Sequence, residues 1–339
     1  MRVPAPAKIN LHLRVGPPRA DDNGFHPLLT WMVTAGLFDT LTFVRQRGRI
    51  RDDDHATTTT AAMTTTGGSE TVFALACSDP ALPTDSAGNL VTRVALALAD
   101  TLSRVGEGST ARGATRARET GVVSAFLNKR IPPGAGLAGG SSDAVATLIA
   151  LNRIWDAGWS REELSAFAAQ FGSDLSFFFT AAADDGSAIC TGRGEVVRPT
   201  TPPDTGRWAI LVLPKFSIST PAVYRRFDEM KLGDERSICE EPDFAAWAKL
   251  PAGELMPRLI NDLEPPAFSL RPELGELRTQ LEEKFGRVFR MSGSGSSLFS
   301  LCDRFDEAQS LATRLRNEMS GDAIAVEIAP KVTWETYAT

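Results

Sequence analysis

The sequence predicts a two-domain α/β protein, and three observations lead there. At 339 residues it is long enough for two domains of ordinary size. A strand pattern, "ETGVVSAFLNKRI", runs straight into the glycine turn "PPGAGLAGGSSD" and then into an apolar helix pattern, the order expected of an α/β unit. Past the linker-like "TTPPDTGR" near 200–207, the chain becomes strand, helix, then helix, hairpin, helix and strand, as in a small α+β sandwich.

The elements follow in order. Residues 7–16, "AKINLHLRVG", alternate as a half-buried strand does, and "PPRADDNG" turns the chain. Apolar segments from about 27 to 45 read as further strands. Residues 46–70 are polar and threonine-rich; threonine favours strands, but no apolar face is visible, so this is read as a surface insertion. "NLVTRVALALADTLSRV" repeats its apolar residues at helical spacing behind Asn89, a natural N-cap. "SSDAVATLIALNRIW" is apolar almost all round, hence a buried helix. "SREELSAFAAQFG" opens on a Ser160/Glu163 capping box and stops at Gly172. In the second half come strand "WAILVLP", a helix at 220–229 and an unassigned stretch to 265. Helix "RPELGELRTQLEEKFG", strand "RVFRM", turn "SGSGSS", strand "LFSLC", helix "DEAQSLATRLRNEM" and strand "AIAVEIA" close the chain.

Composition excludes several classes. A net charge of −6 argues against general nucleic-acid or anionic-membrane binding, which needs a basic surface. An anionic ligand must therefore be held locally, by backbone N–H groups, a few cations or a metal. The four cysteines are far apart and read as reduced thiols, and three histidines without ligand spacing make a zinc site improbable. The opening "MRVPAPAKINLHLRV" is broken by prolines and charges where a signal peptide is apolar, and no apolar window of about 18 residues occurs. A cytoplasmic protein is expected.

The glycine turn carries the chemistry. Gly134, Gly136 and Gly139 fit G-x-G-x-x-G, and Asp156 lies near the distance at which a dinucleotide fold places its ribose-binding acid. However, one helix fills the interval, leaving no room for the second strand, and another capped helix follows. A G-x-x-x-x-G-K-[ST] loop is absent, as is the protein-kinase motif set. Two readings stay open: a glycine turn without ligand, or an anion site in which backbone N–H groups and a helix start face a phosphate. Serine hydroxyls at that helix start could reach a phosphate or a magnesium ion.

The string P-x-G-x-G-L-x-G-G-S-S followed by a helix resembles the phosphate loop of the GHMP kinases. "PAKINLHLRV", "RADDNGFHPL" and "FGSDLSFFF" resemble, within that superfamily, the 4-diphosphocytidyl-2-C-methyl-D-erythritol kinases of non-mevalonate isoprenoid synthesis. "NLVTRVALAL", "FSISTPAVY", "NDLE" and "SGSGSSLF" continue the likeness from Pro4 to the last strand. Ala138 stands where glycine is usual, Phe25 where tyrosine is commoner and Ser176 where proline is usual. Ala138 should keep the turn if it sits at negative φ.

The resemblance implies a ribosomal-protein-S5-like β/α domain over 1–203, with the insertion at about 46–70, and a ferredoxin-like α+β domain over 204–339. It implies ATP and Mg²⁺ as cofactors and a small-molecule substrate carrying a cytidine diphosphate group. Asp174 would be the catalytic base and Lys8 its cationic partner. Asn10, Phe25, His26, Thr220 and Tyr224 would contact substrate, with Phe25 and Tyr224 sandwiching the cytosine and His26 hydrogen-bonding it. Asn89 would lie near the adenine. Pro133, Gly134, Ala135, Gly136 and Leu137 would form the first half of the phosphate loop. Ala138, Gly139, Gly140, Ser141 and Ser142 would complete it, with Ser141 a candidate magnesium contact.

Overall fold

An antiparallel ribbon of two long strands, β1 (Arg2–Val15) and β2 (Leu28–Arg45), forms the spine of the first half. The computed structural model describes residues 1–20, 24–45, 62–65, 71–108, 122–180, 185–319 and 322–332. The apolar segments of 27–45 are thus one strand rather than several. Of the threonine-rich insertion, only β3 (Ala62–Thr65) falls among the described residues, and it pairs with β4 (Thr71–Cys77). The first sheet also contains β5 (Val123–Asn128), β6 (Ser187–Thr191) and β7 (Val196–Pro199). Its order is β3-β4-β5-β2-β6-β7, with β1 along the other edge of β2.

Four helices cover one face of this sheet: α1 (Leu90–Gly108), α2 (Gly139–Ile154), α3 (Arg161–Ala168) and α4 (Asp174–Thr180). Local chemistry sets their starts. The Asn89 side chain accepts the Val91 N–H at 2.9 Å, and Ser160 and Glu163 form the reciprocal capping box. α2 begins at Gly139, two residues before the sequence pattern placed it. It buries most of its surface between α1, α4 and the ribbon, as its all-round apolar pattern requires.

The second sheet holds β8 (Trp208–Leu213), β9 (Arg290–Met291), β10 (Leu298–Cys302) and β11 (Asp322–Glu327), in the all-antiparallel order β11-β8-β10-β9 of a ferredoxin-like sandwich. β9 keeps only the last two residues of "RVFRM". Between β8 and β9 run α5 (Thr220–Glu229), the short α6 (Glu235–Cys239), α7 (Phe244–Trp247) and α8 (Ala252–Leu255), then α9 (Glu264–Leu270) and α10 (Pro272–Phe285); α11 (Phe305–Met319) precedes β11. α10 ends on Gly286 at φ 62°, a left-handed C-cap.

Period-two alternation joins the halves. Ala209 and Leu211 of β8 pack with Ile9, Leu11 and Trp31 of the ribbon, whereas Ile210 and Val212 face α5 and α11 on the far side. The layers therefore read helices, sheet, sheet, helices. Cys77, Cys190 and Cys302 are buried thiols, and Cys239 is an exposed one. Among the described residues no helix is long and apolar enough to cross a membrane.

Candidate active site

A change of face within β1 creates the site. Val3 and Ala5 pack into the core under the helices, but Ala7, Ile9 and Leu11 belong to the opposite core. The ribbon's register shifts between Pro6 and Ala7, and again between Asn10 and His12. Such irregularities re-aim side chains next to functional sites. Lys8 and Asn10 are thereby turned to the helix side, where both line a cleft of about 1440 Å³.

The glycine turn forms one wall of that cleft. The Lys8 N–H donates to the Leu137 carbonyl at 3.0 Å, so the turn is registered directly on β1. Gly134 and Gly136 have φ of 65° and 75°. At Gly136 a Cβ would collide with the backbone of Ser292 and Gly295, so only glycine lets the two glycine-serine turns meet. Gly140, at the start of α2, has no atom within 4 Å of its missing Cβ and leaves the helix end open. The positive end of a well-buried helix thus faces the cleft, an arrangement suited to phosphate.

Ala138 does not sit at negative φ. It adopts φ 52°, ψ 32° as the N-cap of α2, so the condition under which the alanine was expected to be harmless is not met. The turn's geometry is imposed by its neighbours, and the alanine tolerates the left-handed conformation at a cost. Leu137 and Ser142, alone of the expected site residues, do not line the cleft. Leu137 is a core side chain that contributes its carbonyl to β1. Ser142 is one helical step past Ser141, which rotates its hydroxyl inward, fully buried and without a hydrogen-bond partner.

Asp174 is the first residue of α4, and its Oδ2 lies 3.8 Å from Lys8 Nζ. Lys8 is buried apart from this opening, whereas Asp174 is 31% exposed towards the cleft. The ammonium also donates to Asn10 Oδ1. A buried ammonium needs such partners, because an unpaired charge in this setting would be strongly disfavoured. The carboxylate's field reaches further: burial, with Asp174 adding, pushes the Tyr224 hydroxyl up to about 12, and likewise raises the Cys190 thiol.

At the other end of the cleft Phe25 is 49% exposed, and the Arg193 guanidinium lies 4.1 Å from its ring centroid. His26 is buried, donates from Nδ1 to the Gly16 carbonyl at 2.8 Å and places Nε2 3.2 Å from Asp228. The Tyr224 ring is tilted against it at 5.2 Å. Thr220 Oγ1 is 2.7 Å from Ser294 Oγ, linking α5 to the second glycine-serine turn.

That turn closes the site. Ser292 Oγ donates to the Gly136 carbonyl and accepts the Asn10 N–H, and the Ser297 N–H donates to Ala135. Asn261, in "NDLE", braces it by donating to the Met291 and Gly293 carbonyls.

Sequence reasoning missed a buried triad beneath the glycine turn. Lys129 Nζ lies 2.5 Å from Asp39 and 2.8 Å from Asp143, while Asp39 also accepts the Arg130 and Ile131 N–H groups. Burial opposes the Lys129 charge, but the two carboxylates raise its pKa overall. Asp143 is pushed up to about 7 by burial, against the pull of Lys129. The signal was a lysine at the end of a strand running into a glycine turn, with an acid in the next helix.

Known proteins fit this geometry. The pattern of the GHMP kinases N terminal domain matches residues 89–193, and that of the GHMP kinases C terminal matches 244–321. The chain is 39% identical over 317 residues to a 4-diphosphocytidyl-2-C-methyl-D-erythritol kinase of Nocardioides sp., covering 92% of this chain and 91% of the relative. It is 32% identical over 339 residues to one from Microcystis aeruginosa, covering 96% and 95%. A crystal structure of 4-(cytidine 5'-diphospho)-2C-methyl-D-erythritol kinase superposes with a TM-score of 0.68 at 30% identity, over 97% of this chain and 100% of that one. A homoserine kinase from Cytophaga hutchinsonii, at 15% identity and TM-score 0.59 over 98% and 96%, shares the fold. With the glycine turn, the closing glycine-serine turn and both halves of the fold in place, the chain belongs to the 4-diphosphocytidyl-2-C-methyl-D-erythritol kinase family of the GHMP kinases.

Proposed function

We propose that this kinase transfers the γ-phosphoryl group of ATP to the 2-hydroxyl of 4-diphosphocytidyl-2-C-methyl-D-erythritol, with Asp174 as base and Lys8 as its electrostatic partner. The observation that carries the reading is the Lys8–Asp174 pair, which opens on the same cleft as the phosphate turn. Asp174 takes the hydroxyl proton as the new O–P bond forms and the bond to the β-phosphate oxygen breaks. Lys8 meets the charge developing on the transferred group. The N–H groups at the start of α2 hold the ATP phosphates in line.

Among the described residues no group of three or more His, Cys, Asp or Glu side chains could cage a metal. A magnesium ion would be carried in on the nucleotide, keeping several waters and few protein ligands. Bound there, Mg²⁺ would neutralise phosphate charge, and Ser141 at the cleft edge is the residue that would meet it. At the far end, a cytosine would stack between Phe25 and Tyr224 and take the place of Asp228 at His26 Nε2.

The test is ADP release with Mg-ATP over a panel of alcohols with and without a cytidine diphosphate group. Turnover should require that group. Equal turnover of homoserine or mevalonate would make this a GHMP kinase of another specificity.

A further inference from the structure

Lys8 can only donate hydrogen bonds, and that fact fixes a chain of roles behind it. Its partner on Asn10 must be Oδ1. The Asn10 amide group then points the other way, where Nδ2 donates to Thr30 Oγ1 at 2.8 Å. Thr30 Oγ1, having accepted, spends its single proton on the His12 carbonyl at 2.7 Å. His12 stands at the register shift that follows Asn10. Thr30 is fully buried and does not line the cleft, so it touches neither nucleotide nor alcohol.

We propose that Thr30 is a positioning residue for phosphoryl transfer: it locks the orientation of the Asn10 amide and, through it, the place of the Lys8 ammonium opposite Asp174. The inference rests on the Lys8–Asp174 reading above. With Thr30 in place, a flipped amide would aim its NH₂ at an ammonium and leave the His12 carbonyl without its donor. Without the hydroxyl, Nδ2 loses its acceptor and Lys8 alone is left to hold the orientation of the amide. A misplacement of about 1 Å at a reacting group can cost on the order of 10²-fold in rate.

Thr30→Val keeps the shape and removes the hydroxyl. It should lower kcat about 10-fold while the KM for ATP stays within about twofold, because the phosphate turn is untouched. Thr30→Ser should restore most of that kcat. Thr30→Ala and Thr30→Ser both lack the methyl and differ in the hydroxyl alone, so this pair decides the matter if the valine variant does not melt cooperatively. In an Asn10→Ala background, removing the hydroxyl should cost nothing further, since residues acting through one another are non-additive. A folded Thr30→Val or Thr30→Ala with kcat unchanged relative to its hydroxyl-bearing counterpart would overturn the proposal. So would a loss that persists undiminished in the Asn10→Ala background. Lys8→Ala is assayed alongside: full activity there would sink the Lys8–Asp174 reading itself, whereas a crippled Lys8→Ala beside an innocuous Thr30→Val would sink this inference alone.

Discussion

Lys8 Nζ stands 3.8 Å from Asp174 Oδ2, one residue on the first strand of the chain and the other at the first position of α4. Neither is brought there by local sequence. The shift in the β1–β2 ribbon turns Lys8 inward, and the packing of α4 under the sheet presents Asp174 to it. Each half of the pair has an ordinary structural use elsewhere in proteins, as a surface lysine or a helix-start aspartate. Together beside the glycine turn they set a carboxylate next to a cation in one cleft, as the proposed proton transfer requires.

The proposed cytosine pocket gives the first prediction. Phe25 and Tyr224 both line the cleft, and Arg193 covers one face of the Phe25 ring. A base stacked on an aromatic ring gains about 1–3 kcal/mol. Phe25→Ala should therefore raise the KM for the cytidine substrate by roughly 5- to 150-fold, with the KM for ATP barely moved. Tyr224→Ala should do the same. Loss of ATP binding without loss of cytidine binding would place the wrong nucleotide at this end.

Ala138 gives the second. A left-handed conformation costs a non-glycine residue about 1–2 kcal/mol, and glycine gives back roughly 0.4–1 kcal/mol through the freer unfolded chain. Ala138→Gly should thus stabilise the protein by about 0.5–1 kcal/mol, read as a higher urea midpoint at unchanged m-value. A lower midpoint would mean that the turn relaxes around alanine without strain.

His12 gives a pH dependence. Burial, with Arg14 adding, lowers its pKa from 6.5 to about 4, and its Nδ1 accepts the Ile260 N–H at 3.3 Å. Between those values the unfolded chain holds a proton that the folded one does not. The contribution is complete above pH 6.5 and is lost as pH falls through 4, a span of up to about 3 kcal/mol. Asp143, raised to about 7, has the opposite sign: its folded form gains on acidification. The comparison is therefore wild type against His12→Asn, in urea titrations from pH 7 to 4. The variant should lose less stability over that range; parallel curves would exclude His12 as the titrating group.

What the sequence revealed divides along physical lines. Signals that act within one turn were legible: the Ser160/Glu163 box, the Asn89 cap, the α5 span at 220–229 and the Gly286 stop all appear where their chemistry places them. The glycine turn running into a buried helix was legible because both are local patterns. Features set by distant contacts were not. The φ of Ala138, the shortening of β9 and the inward turn of Ser142 depend on neighbours from other parts of the chain. The pairing of Lys8 with Asp174 came from family resemblance, since no spacing rule predicts it. The Asp39–Lys129–Asp143 triad and the Thr30 chain escaped notice because each joins residues that look like ordinary surface or strand positions.

The most direct test of the account is the turnover of Asp174→Asn. The amide keeps the size of the side chain but cannot take the proton from the alcohol. Under saturating Mg-ATP and cytidine substrate, kcat should fall by roughly 10²–10⁴, while calorimetric affinity for Mg-ATP stays within about twofold, because the phosphate turn is built by other residues. A variant that binds Mg-ATP normally and retains most of its turnover would remove Asp174 from the proton transfer and contradict the mechanism.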